Sequence, residues 1–271
     1  MTTLPTVAVY AGLVLVLLGL IAVVHPIRRL RITTRWRGAG VAAAGVLLVF
    51  LGWSLPVPER QAAGTTRLDE ILPRYHFSEH HERHLAATPA EVWRALHEVT
   101  ASDIRFFRTL TAIRRLGRPG PEDILNAPAH RPILDVALST SFVQLASETN
   151  REIVVGTTVI APPGAAVPRT PDEFRTLTTL GFAVAAMNFR VESRPGGGSL
   201  LTTDTRVFAT DPRTRGRFAR YWSLIYPGSA LIRRQWLAAV DRRTRGDRGR
   251  GGDPDARELD SSLVRSARRI P

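Results

Sequence analysis

The stretch HHERHLAATPAEVWRALHEV, residues 80–99, decides how the rest of the chain is read. At its centre, Thr88-Pro89-Ala90-Glu91 forms a capping box with proline at the first helical position. The threonine hydroxyl can accept from the N–H three residues on, and the glutamate can reach back to the threonine N–H. Val92, Ala95, Leu96 and Val99 then recur at helical spacing and give the helix one apolar face. Just before it, YHFSEHHERH (75–84) holds four of the seven histidines.

Working outward, SDIRFFRTLTAIRRL (102–116) predicts a second helix, broken at residues 117–121, and HRPILDVALST (130–140) a short one. Strand patterns follow. FVQLASE and REIVVGTTVI flank Thr149-Asn150 as a hairpin, and GFAVAAMNFRVES and SLLTTDTRVFAT flank RPGGG as another. Residues 161–171 read as a proline-rich loop. Asp211-Pro212 opens a long C-terminal helix, in which Phe218, Tyr221, Trp222 and Ile225 recur at three- and four-residue spacing. Pro227-Gly228 is expected to kink or interrupt it before Leu231–Val240 resumes. Residues 59–71 read as a linker, and 246–271, rich in Gly and Arg, as a disordered basic tail.

The first 58 residues differ in kind. Two uncharged apolar runs, about 5–24 and 38–58, are each long enough to cross a bilayer core roughly 30 Å thick. Between them lie Arg28, Arg29, Arg31, Arg35 and Arg37, against no basic residue in the first 24. That asymmetry predicts a transmembrane hairpin with a cytoplasmic loop, so that the N-terminus and everything after Pro58 are extracytoplasmic. The net charge is +13, carried by arginine without lysine, and much of it lies in this loop and the tail. With no zinc-finger spacing, heptad-linked basic region or aromatic RNA-binding signature, nucleic acid is not an expected partner. No cysteine is present, which excludes disulfides, a thiolate nucleophile and Cys-ligated zinc. No cofactor motif, P-loop or nucleophile elbow occurs.

The run Leu85-Ala86-Ala87-Thr88-Pro89-Ala90-Glu91-Val92-Trp93-Arg94-Ala95-Leu96 resembles the I-x-A-P-P-E-x-V-W-x-A-L opening of START-like, Bet v 1-like (SRPBCC) domains. TDTRVFATDPRTRGRFARYWSLIYPGSALIRRQWLAAVDRR resembles the last strand and closing helix of bacterial members of that superfamily. The resemblance covers about 72–245, and the chain departs from it at 101–141, where the helical material is longer. It implies an α+β helix-grip domain, a curved antiparallel sheet around the C-terminal helix, with a cavity that holds apolar ligands in many relatives. It also puts the histidine-rich segment in the first strand. There His76, His80 and His84 share a face, but residues four apart lie roughly 13 Å apart, too far to share a metal ion. No metal site is expected, while pH sensing stays open.

Two sets of residues can meet at such a cavity. Ala183, Ala185, Met187 and Phe189 alternate along one strand face, and Phe218, Tyr221, Trp222 and Ile225 project from the helix. The leading expectation is therefore a membrane-anchored protein that binds or carries an apolar small molecule or lipid. The alternatives are a cyclase- or hydrolase-like enzyme using the same cavity, and an interaction module with a closed interior. A buried His, Asp or Arg aimed into the cavity would favour the enzyme, and a filled interior the module.

Overall fold

The computed structural model describes residues 4–25, 27–30, 32–118 and 120–251. It begins with two antiparallel helices, α1 (Leu4–Val24) and α2 (Arg35–Ser54), joined across a 3-10 turn at Arg28–Leu30. Thr34 caps α2 by accepting from the Arg37 N–H. Both helices are long and apolar enough to cross a membrane. Leucines point away from the pair, among them Leu13, Leu17, Leu20 and Leu47. The seam is made of glycine at seven-residue spacing: Gly12 and Gly19 on α1, and Gly38, Gly45 and Gly52 on α2. A Cβ on Gly45 would stand 2.6 Å from the Val16 nitrogen and 2.7 Å from the Gly12 carbonyl oxygen. The backbones thus touch directly, the close approach that small residues permit.

Residues 59–71, expected as a linker, are ordered and packed. β1 (Arg60–Gln61) pairs with β2 (Arg74–Tyr75), and α3 (Arg67–Ile71) lies between them. Thr66 and Asp69 form a capping box at the start of α3. The Glu152 carboxylate, from a distant strand, also accepts from the Arg67 and Leu68 N–H groups at 3.0 and 3.4 Å.

The main body follows as β3 (Phe77–Leu85), α4 (Pro89–Glu98), α5 (Phe107–Arg114), α6 (Ile133–Thr140), β4 (Val143–Glu148), β5 (Glu152–Ile160), α7 (Pro171–Arg175), β6 (Ala183–Ser193), β7 (Ser199–Ala209) and α8 (Pro212–Gly251). β3 to β7 form a curved antiparallel sheet in the order β3-β7-β6-β5-β4. Register shifts between Gln144 and Ala146 and between Thr158 and Ile160 are the irregularities that bend strands. Asn150, at φ 60°, closes the β4–β5 hairpin, and Gly196, Gly197 and Gly198, all at positive φ, close β6–β7. The inner face holds Met187, Phe189, Val191 and Leu201 against α4, α6 and the second half of α8, notably Trp236, Leu237 and Val240. The outer face holds Val154, Val184, Ala186 and Phe208 under α3 and α7. This is an α+β helix grip.

α8 departs from expectation twice. It runs unbroken through Pro227-Gly228, and it continues past residue 245 to Gly251; residues 252–271 of the expected tail lie outside the described residues. Pro227 has no N–H to give the carbonyl four residues back, that of Ser223. Instead the Tyr10 hydroxyl on α1 donates to the Ser223 carbonyl at 2.9 Å, and Trp53 Nε1 on α2 donates to Ser223 Oγ at 3.1 Å. The helix is tolerated because the hairpin supplies the missing donor. The expected helix over 102–116 shortens to Phe107–Arg114, since Asp103 accepts from the Thr100 N–H and hydroxyl in a preceding turn and Phe106 sits at φ 64°.

In the histidine-rich strand, Ser78, His80, Glu82 and His84 face outward. His80 Nδ1 lies 2.9 Å from Asp204. His76 precedes the strand, buried and stacked on Phe208 at 5.3 Å. Its Nδ1 accepts from the Ala209 N–H at 3.2 Å, which puts the proton of the neutral ring on Nε2. Burial, together with Arg215 and Arg74, pushes its pKa down to about 4.

Two outcomes follow. Gly45→Leu, which must overlap α1 backbone, should destabilise the hairpin by about 1–3 kcal/mol, whereas Gly40→Ala, with nothing within 4 Å, should be neutral; equal unfolding midpoints for the two in bilayer discs would refute the glycine seam. The depressed His76 pKa means that the unfolded chain takes a proton the folded one refuses. Its contribution is therefore whole above the unfolded value of 6.5 and lost as pH falls toward about 4, on the order of 3 kcal/mol. His76→Gln should flatten that part of the stability profile, and an unchanged slope in the variant would contradict a buried neutral ring.

Candidate functional site

The sheet and α8 do not close on each other everywhere. Between them lies a cavity of about 260 Å³, walled by α5, β5, β6 and α8. A second lobe of about 120 Å³ reaches toward the start of α8. Phe142, Met187, Ser229 and Arg233 line both. The space exists because β6 offers alanine where α8 offers its stripe, and because α5 and residues 123–125 stand off as a separate wall. Phe107 and Thr111 of α5 and Ile124 and Leu125 beyond it form that wall.

Of the sequence-derived candidates, Ala185, Met187, Phe218, Tyr221, Trp222 and Ile225 line the smaller lobe, Met187 the larger one too. Two stand apart. Ala183 is fully buried in a packed cluster with Phe77, Val207 and Phe218. Phe189 is sealed against Trp236, with ring centroids 4.8 Å apart. Sequence reasoning missed Arg114, Phe142, Ser229, Arg233 and Trp236. Two of these positions were within reach. The helix stripe through Tyr221 and Ile225 continues at four-residue steps to Ser229 and Arg233, but an expected break at Pro227 cut it short. Arg114 was visible only as one of several arginines.

Polar side chains share the lining, two of them guanidiniums. Arg114, exposed at the rim, donates to the Tyr221 hydroxyl and stands 5.5 Å over its ring. Arg233 Nη1 donates to Met187 Sδ at 2.8 Å and approaches Thr203 Oγ1 at 3.5 Å. Burial pushes the Arg233 guanidinium below its usual pKa, and Glu79 opposes that shift. Behind Arg233, the buried Glu79 Oε1 is 2.6 Å from His81 Nε2, and Glu79 Oε2 accepts from Ser229 Oγ at 3.2 Å. These two side chains come from the inward face of β3, not the face that carries His80 and His84. Farther along, Arg83 pairs with the buried Asp241 at 2.7 Å. Among the described residues no three His, Cys, Asp or Glu side chains gather as a metal site.

A scan of family models finds no match, and neither does a search of curated proteins. Among solved structures, MLL2253 of Mesorhizobium loti is 17% identical over 61% of this chain and 98% of that one, with a TM-score of 0.30. Ara h 8.0201 is 9% identical over 63% and 98%, with a TM-score of 0.20. Human STARD10 is 9% identical over 69% and 74%, also at 0.20. Likeness at that level carries no functional argument, and the helix-grip description rests on the strand order and on α8.

The cavity separates two neighbouring alanines by their surroundings. Ala183→Leu, in the packed cluster, should cost about 1–3 kcal/mol, whereas Ala185→Leu, facing open space, should cost much less and should reduce uptake of a neutral apolar dye. Equal destabilisation by the two, measured as unfolding midpoints of the full chain, would mean that the space at Ala185 is already filled.

Proposed function

We propose that the chain is a membrane-anchored helix-grip protein that binds an apolar small molecule between its sheet and α8. The observation that carries this is the two-lobed cavity, lined mainly by apolar and aromatic side chains with a few convergent polar groups, the usual make-up of small-molecule sites. Its size, about 260 Å³ in the larger lobe, is near the lower end of the roughly 300–1,000 Å³ typical of such sites, and favours a compact or single-chain ligand over a two-chain lipid. An open interior weighs against the closed interaction module.

The hairpin is read as the anchor. Leucines on its outer surface and a glycine seam inside fit helices solvated by lipid. The joint at Ser223 holds the domain at the end of the hairpin opposite the Arg-rich loop. With that loop cytoplasmic, the domain is extracytoplasmic.

Arg233 and the buried Glu79–His81 pair are the observations that favour an enzyme. They fall short of one. Ser229 donates to the carboxylate rather than to the imidazole, so His81 is not placed to take its proton, as an activated serine requires. A guanidinium does not deprotonate in proteins and cannot serve as a base. The same groups suit recognition.

The test is mass spectrometry of small molecules carried by the full chain extracted from its own membrane. A discrete apolar species present in wild type and depleted in Ala185→Leu is the expected result, and identical profiles would sink the binding reading. Single cysteines at Thr33 and Thr65 address the anchor: a membrane-impermeant thiol reagent should label position 65 and not 33 in intact cells, and the reverse pattern would invert the topology.

A further inference from the structure

An apolar ligand alone leaves Arg233 unexplained. Its guanidinium is surrounded by protein yet keeps surface open to the cavity, on which both lobes converge. Its contacts, the Met187 thioether and the Thr203 hydroxyl, carry no charge, and a thioether is a weak acceptor. No carboxylate among the described residues forms an ion pair with it. The acidic groups nearby are committed elsewhere: Glu79 to His81 and Ser229, Asp204 to His80, and Asp123, on the cavity wall, to the Leu125 and Asn126 N–H groups. The second guanidinium at the cavity, Arg114, adds repulsion, while Glu79 and Asp204 attract Arg233 from beyond ion-pair distance. The cavity lining thus holds two guanidiniums and one carboxylate, Asp123, which is turned to backbone N–H groups, and no carboxylate is in contact with Arg233. A charge enclosed without a counter-ion is costly, and arginine cannot escape that cost by losing its proton.

We propose that the cavity takes an amphipathic anion, whose carboxylate pairs with Arg233 while its apolar body lies along Phe142, Met187 and Trp236. The inference rests on the cavity being a ligand site and adds the charge of that ligand. The planar fork of a guanidinium matches a carboxylate in two parallel hydrogen bonds, which fixes orientation as well as affinity. Enclosure by protein strengthens such a pair relative to one in water. Met187 and Thr203, both uncharged, yield to the incoming carboxylate without breaking an ion pair.

The experiment uses the full chain in bilayer discs of neutral phospholipid, with empty discs as the blank. N-phenyl-1-naphthylamine, a neutral fluorescent probe, reports occupancy of the cavity, and decanoate and decanol compete for it. In wild type, decanoate should displace the probe at a concentration roughly 10- to 100-fold lower than decanol, the scale of hydrogen bonds to a charged group. Arg233→Gln should abolish that preference, read as the ratio of the two competitors within the variant and so independent of its probe affinity, while Arg233→Lys, which keeps the charge without the fork, should retain part of it. Arg233→Met, apolar and close in length, replaces Arg233→Gln if the latter loses its thermal unfolding transition. Equal competition by the two ligands in wild type, or a preference that survives loss of the guanidinium, overturns the anionic assignment and leaves the apolar cavity standing. Absence of saturable probe uptake above empty discs removes the cavity reading itself, and the anionic ligand with it.

Discussion

The rest of the structure depends on one missing hydrogen. Pro227 cannot donate to the Ser223 carbonyl, and an unpaired carbonyl inside a helix costs free energy wherever water cannot reach it. Tyr10 fills that vacancy, and Trp53 takes the Ser223 hydroxyl alongside. Two residues from two different helices of the hairpin therefore converge on a single residue of the domain. Such convergence fixes an angle as well as a distance. It makes α8 one continuous rod whose first half meets the hairpin and whose second half fills the sheet. The same rod carries the cavity stripe from Tyr221 to Trp236 across the proline, so the geometry of the hairpin and that of the cavity are set by the same residues.

The sheet meets this rod with an inner face that is neither uniformly large nor uniformly apolar. Phe189 and Leu201 pack fully against Trp236 and Leu237 at one end. Phe77, Ala183 and Val207 pack against Phe218 at the other. Between these two plugs Ala185 and Thr205 are too short to reach α8, and the void sits there. Both ends are filled, which holds strand and helix apart at the middle; the cavity is a consequence of two well-packed ends rather than of loose packing throughout.

How much of this the sequence could reveal depended on the range over which each feature acts. The capping box at Thr88 and the alternation from Ala183 to Val191 are local, and both stand where the residues put them. α3 was hidden because its stability is not local: five residues bury Leu68 and Ile71 and rely on Glu152, some eighty positions away, to receive their N–H groups. The inward face of β3 was hidden for the same reason. Glu79, His81 and Arg83 look like a solvated strand until Ser229, Arg234 and Asp241 arrive from α8 to satisfy them. Proline rules suggested a kink or an interruption in α8, and the helix is not interrupted; the hairpin, by donating to Ser223, changed the premise.

Those charged residues on the inside of β3 bear on what the cavity is for. A strand at the sheet edge whose inner face is polar gains nothing from apolar burial there, so its pairing with α8 has to be secured by hydrogen bonds and ion pairs. Arg83 with Asp241, and Asp241 in turn with Arg245 at 3.0 Å, do this at one end. Glu79 with His81 and Ser229 does it beside the cavity. Glu79 and Asp241 are thereby bonded within the structure, and Arg233, one turn along from Ser229, is left facing the void with no carboxylate in contact. A fold that only needed an apolar interior would place leucine or methionine at that position at lower cost. The arginine is explained by something that enters from outside carrying the opposite charge.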